Sequence, residues 1–271
     1  MTTTRSDPPF NFVGLPAERS QSKPRSSGLT MMMDWGLPIE TQRAWLDLQA
    51  RYVDLAKFVA GTARLYDRQY LLRKIALYKE FDVQPFLGGQ FLEYTFAKQG
   101  MAGADNYFRE AAALGFAAIE VSDNYVPLQS DSRRELIQGA IGHGLEVHGE
   151  VGSKTTETDA ALLIGQATEC FAAGADVVLV EGAELLVDGE PSETLMRELR
   201  AGLDTEKVIF ELSGTWIANT TQADVYQLKK FLITEFGPNV NLANVLPDQI
   251  WETEALRVGL STVGPAVAEE A

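Results

Sequence analysis

The chain has 271 residues, 45% of them hydrophobic and 23% charged, with a formal net charge of -15 and a pI near 4.6. That length is what one closed α/β barrel consumes, and the balance excludes wholesale disorder. The negative field excludes nucleic acid and anionic membrane surfaces as partners, and it obliges any anionic ligand to be held by a few local cations or a metal ion.

Residues 1–27 are rich in Ser, Thr, Pro and Arg and predict an irregular N-terminal arm. The stretch Met1 to Ser27 lacks the apolar centre of a secretory signal. The chain also has no run of 18 or more apolar residues that could span a membrane. A cytoplasmic protein is the expectation. The domain reading is an arm over 1–27, a barrel over 28–262 and a C-terminal tail over 263–271.

From Leu29 onward, short apolar runs alternate with amphipathic stretches, the order of repeated β-α units. The predicted strands are Leu29 to Asp34, Val53 to Val59, Val83 to Gly88, Ala117 to Ser122, Leu145 to Val151, Val177 to Glu181, Val208 to Glu211 and Val240 to Asn244. Between them lie helix patterns such as Ile39 to Tyr52, with Ala44, Trp45, Leu48 and Tyr52 on the face expected to cover the barrel. Gln69 to Phe81 similarly offers Leu71, Leu72, Ile75 and Tyr78. Gly115, Gly144 and Gly174 punctuate helix ends. The lone Cys170 falls in the helical segment Ala161 to Ala173, where an inert buried thiol is expected.

Eight such cycles predict a single (β/α)8 barrel of the TIM type. An open doubly wound sheet uses the same units, but its dinucleotide-binding form needs a glycine fingerprint after the first strand, and Met33-Asp34-Trp35-Gly36-Leu37-Pro38 supplies none.

In such a barrel the carboxyl ends of the strands face the common mouth. Those ends carry Asp34, Lys57, Glu120 with Asp123, Glu150 with Lys154, Glu181, Glu211, and Asn241 with Asn244. Carboxylates within apolar runs need partners. Lys57 and Lys154 can serve, as can a hard cation such as magnesium, and a purely structural Glu–Lys network is the rival explanation. Lys154 follows Glu150-Val151-Gly152 at a glycine-loosened exit, where an amine beside carboxylates can deliver a proton. Gly88-Gly89 before Gln90 offers amides for close approach to a ligand or simply a turn. His143 and His148 are not spaced as paired ligands and read as structural.

Gly88-Gly89-Gln90-Phe91-Leu92-Glu93-Tyr94, Ile119-Glu120-Val121-Ser122-Asp123, Glu150-Val151-Gly152-Ser153-Lys154, Val180-Glu181-Gly182, Val208-Ile209-Phe210-Glu211 and Asn241-Leu242-Ala243-Asn244-Val245 occur in that order. Together they make the chain resemble the phosphosulfolactate synthase family, from about Gly28 to Leu260. The resemblance implies a (β/α)8 barrel that adds sulfite to phosphoenolpyruvate with Mg2+, and a homo-oligomer. It implies Lys154 as acid, with Lys57 and Glu150 also catalytic. Asp34, Gly89, Gln90, Ser122 and Asn244 are then expected on the substrate, and Glu181 and Glu211 on the metal. Departures fall at the mouth: Trp35 and Ala183 stand where the family usually has Lys and Arg, Tyr125 follows Asn124, and Trp216 lies after strand seven. They suit a less anionic carboxylate or enol substrate. The family also has a plant branch associated with heat tolerance, which keeps a non-catalytic barrel open.

Overall fold

The computed structural model describes residues 9–20, 22–152, 159–187, 190–218 and 220–261. Eight parallel strands close into a barrel: β1 (Thr30–Asp34), β2 (Leu55–Phe58), β3 (Gln84–Leu87), β4 (Ala118–Val121), β5 (Glu146–Val151), β6 (Val177–Val180), β7 (Val208–Glu211) and β8 (Leu242–Val245). Each pairs with its neighbours in sequence, and β8 pairs with β1. Eight α-helices alternate with them: α1 (Ile39–Gln49), α2 (Arg68–Glu80), α3 (Gly89–Leu114), α4 (Ser130–Gly142), α5 (Ala160–Ala173), α6 (Glu193–Gly202), α7 (Gln222–Phe236) and α8 (Ile250–Arg257). A two-stranded antiparallel ribbon, Leu186–Val187 with Glu190–Pro191, precedes α6. The expected (β/α)8 barrel is the fold.

The strands read as apolar runs because both faces are covered. Side chains alternate with a period of two. Met31, Leu55, Phe86, Ala118, Leu179, Ile209 and Ala243 point inward and fill the barrel. Met32, Ala56, Phe58, Ile119, Val147, Val178, Phe210 and Leu242 point outward and pack under the helices. Two residues beyond an inward residue is again inward and one layer nearer the mouth. That arithmetic puts Lys57, Glu120, Glu181 and Glu211 above Leu55, Ala118, Leu179 and Ile209. Asp34, three beyond Met31, faces the other way.

Helix ends follow local chemistry. Asp67 caps α2 by accepting from the amides of Gln69 and Tyr70, and Thr221 with Asp224 forms a capping box on α7. Gly115 and Gly174 close α3 and α5 in the left-handed conformation, at φ 90° and 110°, as their positions predicted. Cys170 is fully buried in α5, and burial pushes its thiol up to about 11, which makes it unreactive.

Two sequence expectations are corrected. The buried face of α1 is Gln42, Leu46 and Gln49, whereas Leu48 is 55% exposed. Two glutamines can be buried because Gln42 bonds the carbonyl and ammonium of Lys74 and Gln49 bonds the carbonyl of Pro247. Strand β8 begins at Leu242, so Asn241 sits at the amino pole, where its side-chain amide accepts from the Leu29 amide and donates to the carbonyls of Glu206 and Val208 at 2.8 to 2.9 Å. The arm is irregular but docked. Arg19 bonds Glu254 and the carbonyl of Gly28, and Arg25 pairs with Asp54 at 2.6 Å, both at the amino pole and away from the mouth.

Candidate active site at the carboxyl ends of the strands

The inward layer above the core brings four buried charged side chains together. Lys57 Nζ lies 2.7 Å from Glu120 Oε2 and 2.8 Å from Glu211 Oε1. Glu150, from β5, completes a group in which carboxylate oxygens of Glu120, Glu150 and Glu211 all lie within 4.8 Å of one another. Burial alone would lower the lysine, but the charges of Glu120, Glu211 and Glu150 outweigh it and hold its pKa well above the ordinary value. Lys57 is therefore a fixed ammonium at neutral pH and not a base.

The start of α3 supports this layer. The amide of Gly89 donates to Glu120 Oε1 at 2.7 Å, at the positive end of the helix. A Cβ on Gly89 would lie 2.1 Å from Ser122 Oγ and 2.8 Å from Ser122 Cβ, so only glycine allows the approach. Ser122 Oγ donates to Glu93 Oε1 at 2.5 Å, and the other oxygen of Glu93 accepts the amides of Tyr125 and Val126 at 2.7 and 2.9 Å. Glu93 thus clamps the loop after β4. That loop delivers Asn124, whose Nδ2 donates to Glu150 Oε1 at 2.5 Å. Asp123 turns instead to Arg133.

The predicted site residues divide accordingly. Lys57, Glu150, Gly89, Ser122 and Glu211 converge on one region with Glu120, and Gln90 is half-buried in the first turn of α3. Glu181 is buried at the exit of β6 but is not one of the three converging carboxylates. Asn244 is buried in β8 at φ 60°, where the β1–β8 register shifts, and its Nδ2 donates to the carbonyl of Leu212 at 3.4 Å. Asp34 is placed elsewhere. Its carboxylate lies under α2, 2.8 Å from Lys74 Nζ and 2.7 Å from Tyr78 Oη, and it accepts the amides of Gly36 and Leu37. It shapes the loop bearing Trp35. Lys154 lies outside the described residues.

Sequence reasoning missed Glu93, Asn124 and Tyr107 as parts of this region. The Tyr107 hydroxyl is buried without a hydrogen-bond partner, and burial, then the Glu120 charge, raise its pKa. All three come from helices or loops, which strand-end inspection does not reach. Among the described residues, Ser213 Oγ and Asn244 Oδ1, at the ends of β7 and β8, are also buried without a partner. Above them, loops after β1 and β7 carry Trp35 and Trp216, with ring centroids 6.4 Å apart and both rings about half exposed.

Three buried carboxylates within 4.8 Å of one another offer the hard oxygen donors that a divalent cation such as Mg2+ takes, so the group could hold a metal ion.

The chain is similar to known proteins over nearly its whole length. Over 244 residues the chain is 33% identical to the phosphosulfolactate synthase of Methanocaldococcus jannaschii, covering 86% of this chain and 92% of that protein. It is 31% identical to the phosphosulfolactate synthase of Methanothermobacter thermautotrophicus over 262 residues, 93% and 95% of the two chains. The YdjI aldolase of Escherichia coli K12 shares the fold, with a TM-score of 0.52 and 11% identity over 83% of this chain and 78% of that one. No described helix is long and apolar enough to cross a membrane. The (2R)-phospho-3-sulfolactate synthase family matches residues 18–262, and the chain belongs to that family of enzymes.

Proposed function

We propose that this enzyme adds sulfite to phosphoenolpyruvate to give phosphosulfolactate. The observation that carries the reading is the buried convergence of Lys57, Glu120, Glu150 and Glu211 at the carboxyl ends of the strands. Glu120, Glu150 and Glu211 would hold Mg2+, which when bound supplies positive charge where an enolate develops. Glu181 is a further candidate ligand.

The sulfur lone pair forms a bond to the methylene carbon, and the double-bond electrons move onto the neighbouring carbon and its carboxylate. That carbon then takes a proton, for which Lys154 is the candidate donor, and no group leaves. Lys57 provides a permanent positive charge beside the developing anion and orients Glu120 and Glu211. Ser213 Oγ, without a partner among the described residues, lies where many barrels bind phosphate, at the end of β7, and can donate to a phosphate oxygen. Gly89, Gln90 and Ser122 would line the substrate, with Asp34 acting through its loop. A homo-oligomer in the cytoplasm is the accompanying expectation.

The half-exposed Trp35–Trp216 pair favours a second reading, in which the same site acts on a less anionic carboxylate or enol. A coupled assay with phosphoenolpyruvate, sulfite and Mg2+, run beside Lys154→Ala, separates the two. Turnover that disappears in the variant supports the synthase. No turnover at millimolar phosphoenolpyruvate and sulfite overturns it in favour of a different substrate.

A further inference from the structure

The loop after β4 is pinned on both sides of one residue. Before Asn124, the Ser122 hydroxyl is held by Glu93 and Asp123 pairs with the buried Arg133. After it, the amides of Tyr125 and Val126 both donate to Glu93 Oε2. Glu93 itself is 4% exposed and rigidly placed in α3. Ordering a loop this fully costs chain entropy, and the result is that the Asn124 backbone is fixed at the edge of the barrel mouth.

The Asn124 side chain is oriented by one contact, from its Nδ2 to Glu150 Oε1. An ionised carboxylate only accepts hydrogen bonds, so it takes the nitrogen side of the amide and leaves the oxygen on the other side. That oxygen, Oδ1, is buried and has no hydrogen-bond partner among the described residues. Because the two amide atoms share a carbon, Oδ1 stays beside the carboxylate that Nδ2 contacts. A buried carbonyl oxygen without a partner is costly, and a hydroxyl at this position could hold Glu150 with less of that cost. The orphaned oxygen therefore points to a ligand that needs an oxygen donor.

Glu150 is one of the three carboxylates whose oxygens lie within 4.8 Å of one another. We propose that Asn124 Oδ1 is a further ligand of the divalent cation at Glu120, Glu150 and Glu211, an inference that rests on the reading of that group as a cation site. Hard cations accept amide oxygens alongside carboxylates. A neutral oxygen also adds a donor to three acidic residues without adding to their mutual repulsion. A bare Mg2+ ion is smaller than a water molecule, so oxygens too crowded to admit water can still share one. Glu93 is then a positioning residue, acting through the loop that carries Asn124.

Mn2+ added to the full chain tests this by calorimetry and by EPR. The broadening of the Mn2+ line in oxygen-17-enriched water counts the waters bound to the ion. Asn124→Ala should weaken Mn2+ about tenfold and raise the water count by one, as a water takes the vacated position. Asn124→Asp, which returns an oxygen but no donor, should restore the wild-type count. An amide that only held Glu150 would make Asn124→Asp the worse variant, because two like charges would face each other. Glu93→Gln should weaken Mn2+ by a smaller factor than Asn124→Ala. Circular dichroism confirms that the variants are folded. A wild-type water count in Asn124→Ala, at any affinity, or a count above wild type in Asn124→Asp would overturn the inference and leave the cation site standing. Absence of Mn2+ binding to the wild-type chain would overturn the site and the inference together.

Discussion

The two poles of the barrel use buried charge in opposite ways. At the amino pole, cations are matched to fixed acceptors: Arg25 to Asp54, Arg19 to Glu254, and Lys23 to three carbonyls. At the carboxyl pole, Glu120, Glu150 and Glu211 crowd around Lys57, and polar atoms of Ser213 and Asn244 have no partner among the described residues. Pairing at the amino pole ties the arm to the barrel. Identical residue types thus do structural work at one end and are poised for chemistry at the other, and the direction of the strands decides which.

Substitutions can break this division. The largest effect is expected for Lys57→Met, which removes the ammonium paired with Glu120 and Glu211. Steady-state kinetics should show kcat/KM falling about a thousandfold or more, and melts a loss of about 3 to 5 kcal/mol. Arg25→Met strands the buried Asp54 and should cost about as much stability, about 3 to 5 kcal/mol, with kcat/KM of the folded fraction unchanged. A catalytic defect in that variant would contradict the separation of the poles. Gly89→Ala pushes a methyl into Ser122 and should cost about 1 to 3 kcal/mol, with a clear fall in kcat.

Acid sharpens the comparison further. The folded pKa of His148, about 3, lies below the ordinary 6.5. Its contribution to stability is therefore complete above pH 6.5 and lost as pH falls from there toward 3. The slope should approach about 1.4 kcal/mol per pH unit in denaturant titrations, and His148→Gln should flatten it. The smallest effect is expected for Gly174→Ala, at φ 110° in the turn from α5 into β6 at the amino pole and remote from the mouth, costing about 1 kcal/mol in melts with kinetics unchanged.

Much of the fold was legible because buried parallel strands are apolar runs, and each run that ends in an acid or a lysine marks its own mouth-facing end. The converging layer follows from counting two residues on from the core positions Leu55, Ala118 and Ile209. The same counting turns Asp34 outward, which inspection of strand ends could not reveal. Hydrophobic periodicity failed on α1 because Gln42 and Gln49 are buried through hydrogen bonds to Lys74 and Pro247, partners remote in sequence. Asn241 was read as mouth-facing because a one- or two-residue error in the start of β8 moves a side chain from one pole to the other. Glu93 and Tyr107 gave no local signal, since α3 looks amphipathic with or without them.

The central claim is that the carboxylates of the carboxyl pole form a divalent-cation site. Calorimetric titration of Mg2+ into the wild-type chain, Glu211→Gln and Arg25→Met tests it most directly. The account predicts one ion per chain, weakened about tenfold or more by Glu211→Gln and unaffected by Arg25→Met. Absence of binding, or binding that Glu211→Gln and Glu150→Gln both leave intact, would contradict it.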